Sequence, residues 1–300
     1  MWAEEQSQSP AVSTEQAGSP ESAYRPSPRP KFDGPALIPR TGAVRHVWGD
    51  AQSGEVADWI YVSSELIHLL VFGLEPHGSF RHSPDHRTVF GADELLYVLE
   101  GVMAIANPET GEVQRLESGE SVFFRRDTWH HAFAHGEGPL RVLELFAPPP
   151  SAGMSGAYSR TRPYLDGGRY ADDSLVGRLD PAPVDPKPGT LRRLGQRDIV
   201  WRRDLGVLVG LLTSTEYLTA GVLEVDPGQR SAAHSHAGDQ VLYVTHGTMT
   251  VRVWHDDDVN VFEPGPDDVC YIPAGCRHEY RNYGSVTASS VFGVSPSYLE

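Results

Sequence analysis

One short sentence of this chain is written twice. "DELLYVLEG" at 93–101 returns as "DQVLYVTHG" at 239–247, 146 positions later. "FFRRDTWHH" at 123–131 returns as "YIPAGCRHE" at 271–279, 148 positions later. The two-residue difference is one loop. An internal repeat of this kind means that one fold is built twice. Each copy consists of short alternating or apolar runs. The first holds "WIYVSS", "IHLLVFGLE", "ELLYVLEG", "SVFFRR" and "LRVLELFAP"; the second holds "VLVGLLTS", "LTAGVLEV", "QVLYVTHG", "TMTVRVWH" and "SVFGVSP". Gly, Pro, Asn and Asp separate them. Such spacing predicts strands closing into a sandwich or barrel. No long segment has the apolar period of a helix.

The repeat sets the expected boundaries. Residues 1–30 are rich in Ser, Pro, Glu, Gln and Ala, and read as a disordered tail. The first domain is expected over 31–150, closed by Pro148, Pro149 and Pro150. A Gly-, Ser-, Asp- and Pro-rich linker is expected over 151–190, and the second domain over 191–300.

Composition narrows the function. The formal net charge is −15, which repels nucleic acid and anionic membrane, since both are met by clustered Lys and Arg. No apolar run approaches a membrane span. "MWAEEQSQSP" lacks the basic and apolar regions of a secretory signal. Cys270 and Cys276 are the only cysteines, so no disulfide framework is expected and both are read as reduced. The expectation is a cytoplasmic protein with a small-molecule substrate, no nucleic-acid or membrane partner, and a homodimer as a candidate assembly.

The chemistry is concentrated in the second copy. In a strand, residues i and i+2 share a face, so His234 and His236 of "HSH" project together. Ala237-Gly238-Asp239 makes a bend, and Gln240 opens the next strand. His278 stands at the start of a later strand, in "PAGCRHEYRN". Three imidazoles and one amide oxygen meeting inside a barrel make a mononuclear metal site.

This pattern resembles the cupin superfamily. The first cupin motif, G-x5-H-x-H-x3/4-E-x6-G, is met by Gly228, His234, His236, Gln240 and Gly247, with Glu replaced by Gln. The second, G-x5-P-x-G-x2-H-x3-N, is met by Asp267, Pro273, Gly275, His278 and Asn282, with the leading Gly replaced by Asp. The resemblance implies an all-β fold of two tandem cupin (jelly-roll β-barrel) domains joined by a loop-rich linker. It also implies one divalent transition metal, Fe, Mn, Zn or Ni, on His234, His236, Gln240 and His278.

The glutamine matters electrostatically. Four neutral ligands leave a dication its full charge. That favours polarising a substrate oxygen over raising the oxidation state of the metal. Among cupins, resemblance links three His and one Gln to non-redox enzymes, and three His and one Glu more often to dioxygenases.

The first copy keeps the glutamate at Glu94 and matches His278 with His130. Upstream its register fails, and Thr88 and Phe90 fall where a histidine pair belongs. His82, His86, Glu94 and His130 are the candidates for a second metal or ligand site. Arg125, Trp129 and His131 form an alternative organic-anion pocket. His46, His68, His77, His135, His246 and His255 fit no motif and are read as packing or surface residues.

Proton-transfer candidates lie near the second motif. Tyr280 shares the strand face of His278 and offers a phenol. Arg230 is placed to meet a carboxylate at the mouth, and Asp239, Arg277 and Glu279 rank below. The expected function is a metal-dependent bicupin enzyme with lyase, isomerase or hydrolase chemistry on a small oxygenated metabolite. The alternatives are a non-haem metal dioxygenase and a non-catalytic small-molecule binder.

Overall fold

The computed structural model describes residues 27–83, 85–148 and 191–299. Of the expected tail, only 27–30 fall within this range, and they carry no regular structure. The expected linker over 151–190 lies outside the described residues.

The regular structure of the described residues is almost wholly strand. The first half gives β1 (Ala36–Ile38), β2 (Val44–Asp50), β3 (Gly54–Ser63), β4 (His68–Leu74), β5 (Ser79–Phe80) and β6 (Asp93–Glu100). It continues with β7 (Val102–Asn107), β8 (Glu112–Glu117), β9 (Ser121–Phe124), β10 (His131–Ala134) and β11 (Leu140–Ala147). The second half gives β12 (Arg192–Leu194), β13 (Val200–Asp204), β14 (Val207–Ser214), β15 (Thr219–Val225) and β16 (Asp239–His246). It closes with β17 (Thr250–His255), β18 (Asp258–Phe262), β19 (Val269–Ile272), β20 (Arg277–Arg281) and β21 (Ala288–Ser295). No helix among the described residues is long and apolar enough to cross a membrane.

Each barrel pairs a seven-stranded sheet with a smaller one. The first uses β12-β9-β6-β11-β4-β3-β2 and β5-β10-β7-β8; the second uses β1-β19-β16-β21-β15-β14-β13 and β18-β17-β20. The flanking strands are exchanged. β1 precedes the first barrel in sequence but pairs with β19 of the second, Leu37 opposite Cys270. β12 opens the second half but pairs with β9 of the first, Arg193 opposite Val122. One strand of each sequence half thus belongs to the sheet of the other.

Side-chain alternation builds the core. Leu69, Val71, Leu95, Leu143 and Leu145 face the second barrel and pack with Val241, Tyr243 and Val291. Their neighbours Leu70, Phe72, Leu96, Val98 and Val142 face the first barrel's interior. The large sheets are therefore buried on both faces, which is why "IHLLVFGL" and "QVLYV" read as nearly continuous apolar runs. Each such side chain contributes about 1.5–3 kcal/mol by leaving water.

A polar knot ties the barrels together. Asp267 accepts hydrogen bonds from Arg141 at 3.0 Å, from Arg40 at 3.0 Å and from the Tyr243 hydroxyl. Its carbonyl accepts from the Tyr61 hydroxyl at 2.8 Å. Asp267 has φ 70°, in the left-handed region where the cupin motif carries glycine. Aspartate tolerates that region better than most residues, and here its carboxylate also joins the two halves.

Candidate metal centre

The second barrel brings its predicted ligands together. His234 and His278 form an antiparallel bridge with reciprocal backbone hydrogen bonds of 2.9 and 2.7 Å. Their rings lie 4.2 Å apart, and the His236 ring lies 5.0 Å from the first and 5.3 Å from the second. Ligating atoms of the three lie within 4.8 Å of one another. Two glycines make this approach feasible. Gly275 sits at φ 77° in the turn before His278, and its N–H donates to the His236 carbonyl at 2.8 Å. At Gly238 a Cβ would come within 2.3 Å of the Ser295 carbonyl oxygen.

Each imidazole is oriented by a backbone carbonyl. Nδ1 of His234 donates to Ala232 at 3.0 Å, that of His236 to Tyr298 at 2.6 Å, and that of His278 to Cys276 at 2.9 Å. With Nδ1 as donor, the neutral ring presents the Nε2 lone pair, the form in which histidine binds a metal. Burial first, then neighbouring His234, lowers the His278 pKa to about 3, so that ring is neutral at physiological pH. Gln240, the second residue of β16, is buried and turns Oε1 toward the Tyr280 hydroxyl at 2.9 Å. The same hydroxyl lies 2.8 Å from His278 Nε2. One phenol proton faces two lone pairs, so the group is rich in electron pairs and poor in protons. That donor set fits a divalent transition metal on His234, His236, Gln240 and His278.

Strand parity sorts the remaining candidates. On β20, His278 and Tyr280 face inward, while Arg277, Glu279 and Arg281 face outward. Glu279 is paired with Arg252 at 2.9 Å and with Arg281, and Arg277 lies over Trp254. Asp239 accepts from the Tyr271 hydroxyl and the Ala274 N–H, each at 2.9 Å, and so fixes the turn before His278. Burial holds the Tyr280 hydroxyl well above its ordinary pKa, so it is a neutral proton donor.

Arg230 corrects the expectation of a carboxylate clamp. It is exposed and does not line the cavity bounded by His234, Gln240, Tyr280 and Tyr298. Arg230 bridges Arg281 and His234 bridges His278, so a step of four residues along one side opposes a step of three along the other. A one-residue slip turns a side chain to the opposite face.

The first barrel assembles a different set. Ligating atoms of Glu94, His130 and Glu144 lie within 4.8 Å of one another. His82 and His86 are not in that cluster, which corrects their expected place. The Ser83 N–H donates to the His86 carbonyl at 2.6 Å, closing a turn in the longer loop. His86 Nδ1 lies 3.4 Å from Asp50, and the His82 ring packs near Trp129. Thr88 and Phe90 face the cavity in the histidines' stead. His130 repeats the His278 arrangement, donating from Nδ1 to the Thr128 carbonyl at 3.2 Å.

Glu144 was not expected from sequence. Glu94 pairs with Phe146 as Gln240 pairs with Val294, so Glu144 takes the place of Phe292 in the other barrel. Glu94 and Glu144 lie close together, and burial first raises both pKa values well above the carboxylate range. His68 and Asp58 also line this cavity, which corrects the reading of His68 as a packing or surface residue. A lone charged or polar residue inside an apolar strand was the available signal. The organic-anion pocket is not formed: Arg125 pairs with Asp93 and Glu216, and Trp129 Nε1 donates to His131 at 3.1 Å.

Two antiparallel barrels with inward-facing ligand clusters, built in tandem, define a bicupin. The cupin domain model matches residues 70–146 and 221–292, and the chain belongs to the cupin superfamily as a two-domain member. It is similar to Protein SchB of Streptomyces halstedii, 36% identical over 77 residues, covering 25% of this chain and 53% of that protein. It is also similar to polyketide synthase CurC of Streptomyces cyaneus, 34% identical over 77 residues, covering 25% and 47%. The match spans about half the length of these curated relatives. In fold it is similar to oxalate decarboxylase OxdC of Bacillus subtilis, with TM-score 0.62 and 15% identity, covering 88% of this chain and 78% of that one. That enzyme carries Mn(II) centres.

Proposed function

We propose that the second barrel binds one divalent transition metal and converts a small oxygenated metabolite by lyase, isomerase or hydrolase chemistry. The observation that carries this is the set of three imidazoles, each tied at Nδ1 to a backbone carbonyl and with ligating atoms within 4.8 Å of one another. The metal would supply Lewis acidity toward a substrate oxygen. Tyr280 is the residue placed to donate or hold a proton there, its hydroxyl 2.8 Å from His278 and 2.9 Å from Gln240. Leu223, Phe292 and Tyr298 limit water around it. The manganese of the structurally similar decarboxylase is consistent with an oxygen-polarising role.

A cytoplasmic location belongs to the same proposal and rests on the two free cysteines, Cys270 and Cys276. The test is metal analysis of protein purified without a metal-binding tag. One equivalent per chain, lost in His278→Ala, is the expected result. Metal-free protein that takes up neither Mn, Fe, Zn nor Ni overturns the proposal.

A further inference from the structure

The first barrel holds a cavity that the proposed metal chemistry does not use. It measures about 70 Å³, against about 10 Å³ beside His234 and Gln240. A water needs roughly 10–15 Å³ on this scale, so the space admits on the order of five waters, about the bulk of one substituted benzene ring. Trp48, Phe72, Phe80, Phe90 and Phe146 wall it. His68 Nδ1 and Thr88 Oγ1 lie at this cavity with no hydrogen-bond partner among the described residues, on side chains 7% and 1% exposed. Behind Glu144, Glu94 Oε2 is likewise without one.

The titratable groups lining the cavity are Arg29, Asp58, His68, His130 and Glu144. Burial raises Asp58 and Glu144 well above the carboxylate range, and lowers His68 to about 3 and His130 to about 4. Burial thus disfavours the charged form of each. Arg29 is the cation of the lining, its Nε donating to Ser63 Oγ at 3.0 Å.

We propose that the first barrel is a metal-independent pocket for a small, uncharged, hydroxylated aromatic molecule, held by His68, Thr88 and Glu144 inside the aromatic wall. A hydroxyl both donates and accepts, and so suits the imidazole, the threonine and the carboxyl alike. A carboxylate would lose its hydration against two carboxyl groups. An ammonium would lose its own with Arg29 nearby. Ring-to-ring contact supplies the rest of the affinity. The pocket stands apart from the reading of the second barrel, and either can fail alone.

The test uses the full chain, stripped of metal by a chelator and verified metal-free. Resorcinol, benzoate and benzylamine are titrated by calorimetry. Resorcinol is expected to bind one per chain, at least tenfold tighter than either charged ring, and equally after Mn or Zn is restored. Thr88→Val should weaken it about fivefold or more while leaving metal uptake by the second barrel intact. Glu144→Leu should do the same; if that variant does not fold, Thr88→Val decides. Tighter benzoate or benzylamine binding, resorcinol binding only with metal present, or an unchanged affinity in Thr88→Val overturns the proposal.

Discussion

Tyr298 holds His236 by its backbone: the His236 Nδ1–H donates to the Tyr298 carbonyl at 2.6 Å. The tyrosine ring also lies over the imidazole at 4.3 Å, and its hydroxyl donates to Asp204 at 3.1 Å. The last residues of the chain thus supply the outer partner of a proposed metal ligand. Such partners are worth about 10–100-fold in metal affinity. Deleting 296–300 should cost that much in a competition titration. Tyr298→Ala keeps the carbonyl and should cost less than tenfold.

Gln240→Glu adds one negative charge beside three neutral imidazoles. Metal affinity should rise at least tenfold, about 1.4 kcal/mol. The potential of the iron-loaded protein should fall, because the added anion favours the higher oxidation state. Voltammetry of iron-loaded wild type and variant checks the sign. An unchanged potential would count against Gln240 as a ligand.

Acid should destabilise the protein through histidines buried in the neutral form. His131 is lowered to about 3, by burial first and then by His130. In the unfolded chain it titrates near 6.5, so its contribution is full above that pH and is lost as pH falls toward 3. The unfolded state takes up one more proton than the folded state across that window. His131→Phe should flatten the stability–pH slope near pH 5 by up to about 1.4 kcal/mol per unit, whatever it does to absolute stability. Urea denaturation from pH 7 to pH 4.5 measures it.

Asp267 should be sensitive to charge and to backbone separately. Asp267→Asn keeps a residue tolerant of φ 70° and removes the charge facing Arg141 and Arg40. The expected loss is about 1–3 kcal/mol. Asp267→Ala adds the left-handed penalty and should lose about 1 kcal/mol more. Chemical denaturation of both variants separates the two effects.

Much of this architecture can be read from the repeat. Asp93 and Asp239 align in sequence, and in space both accept from the turn ahead of the matching histidine, through the N–H of Arg126 and of Ala274. The clustering of His234, His236 and His278 was legible because spacing in a strand fixes the face. Arg230 was not, because a one-residue slip in pairing leaves no mark on spacing. Glu144 and Asp58 were hidden for another reason. Their partners come from strands far away in sequence, and only closure of the barrel brings them together. The exchange of β1 and β12 was equally hidden, since short edge strands carry little pattern of their own.

That exchange sets an order of events during synthesis. Phe123 of the first barrel pairs with Arg192, so its sheet gains its outermost strand only after the start of the second half has been made. Ala36, emerging early, waits for Tyr271. The two halves are interlocked like clasped hands, and a nascent chain halted between them would present one unfilled sheet edge, at β9, and one strand without its sheet, β1, rather than one finished barrel.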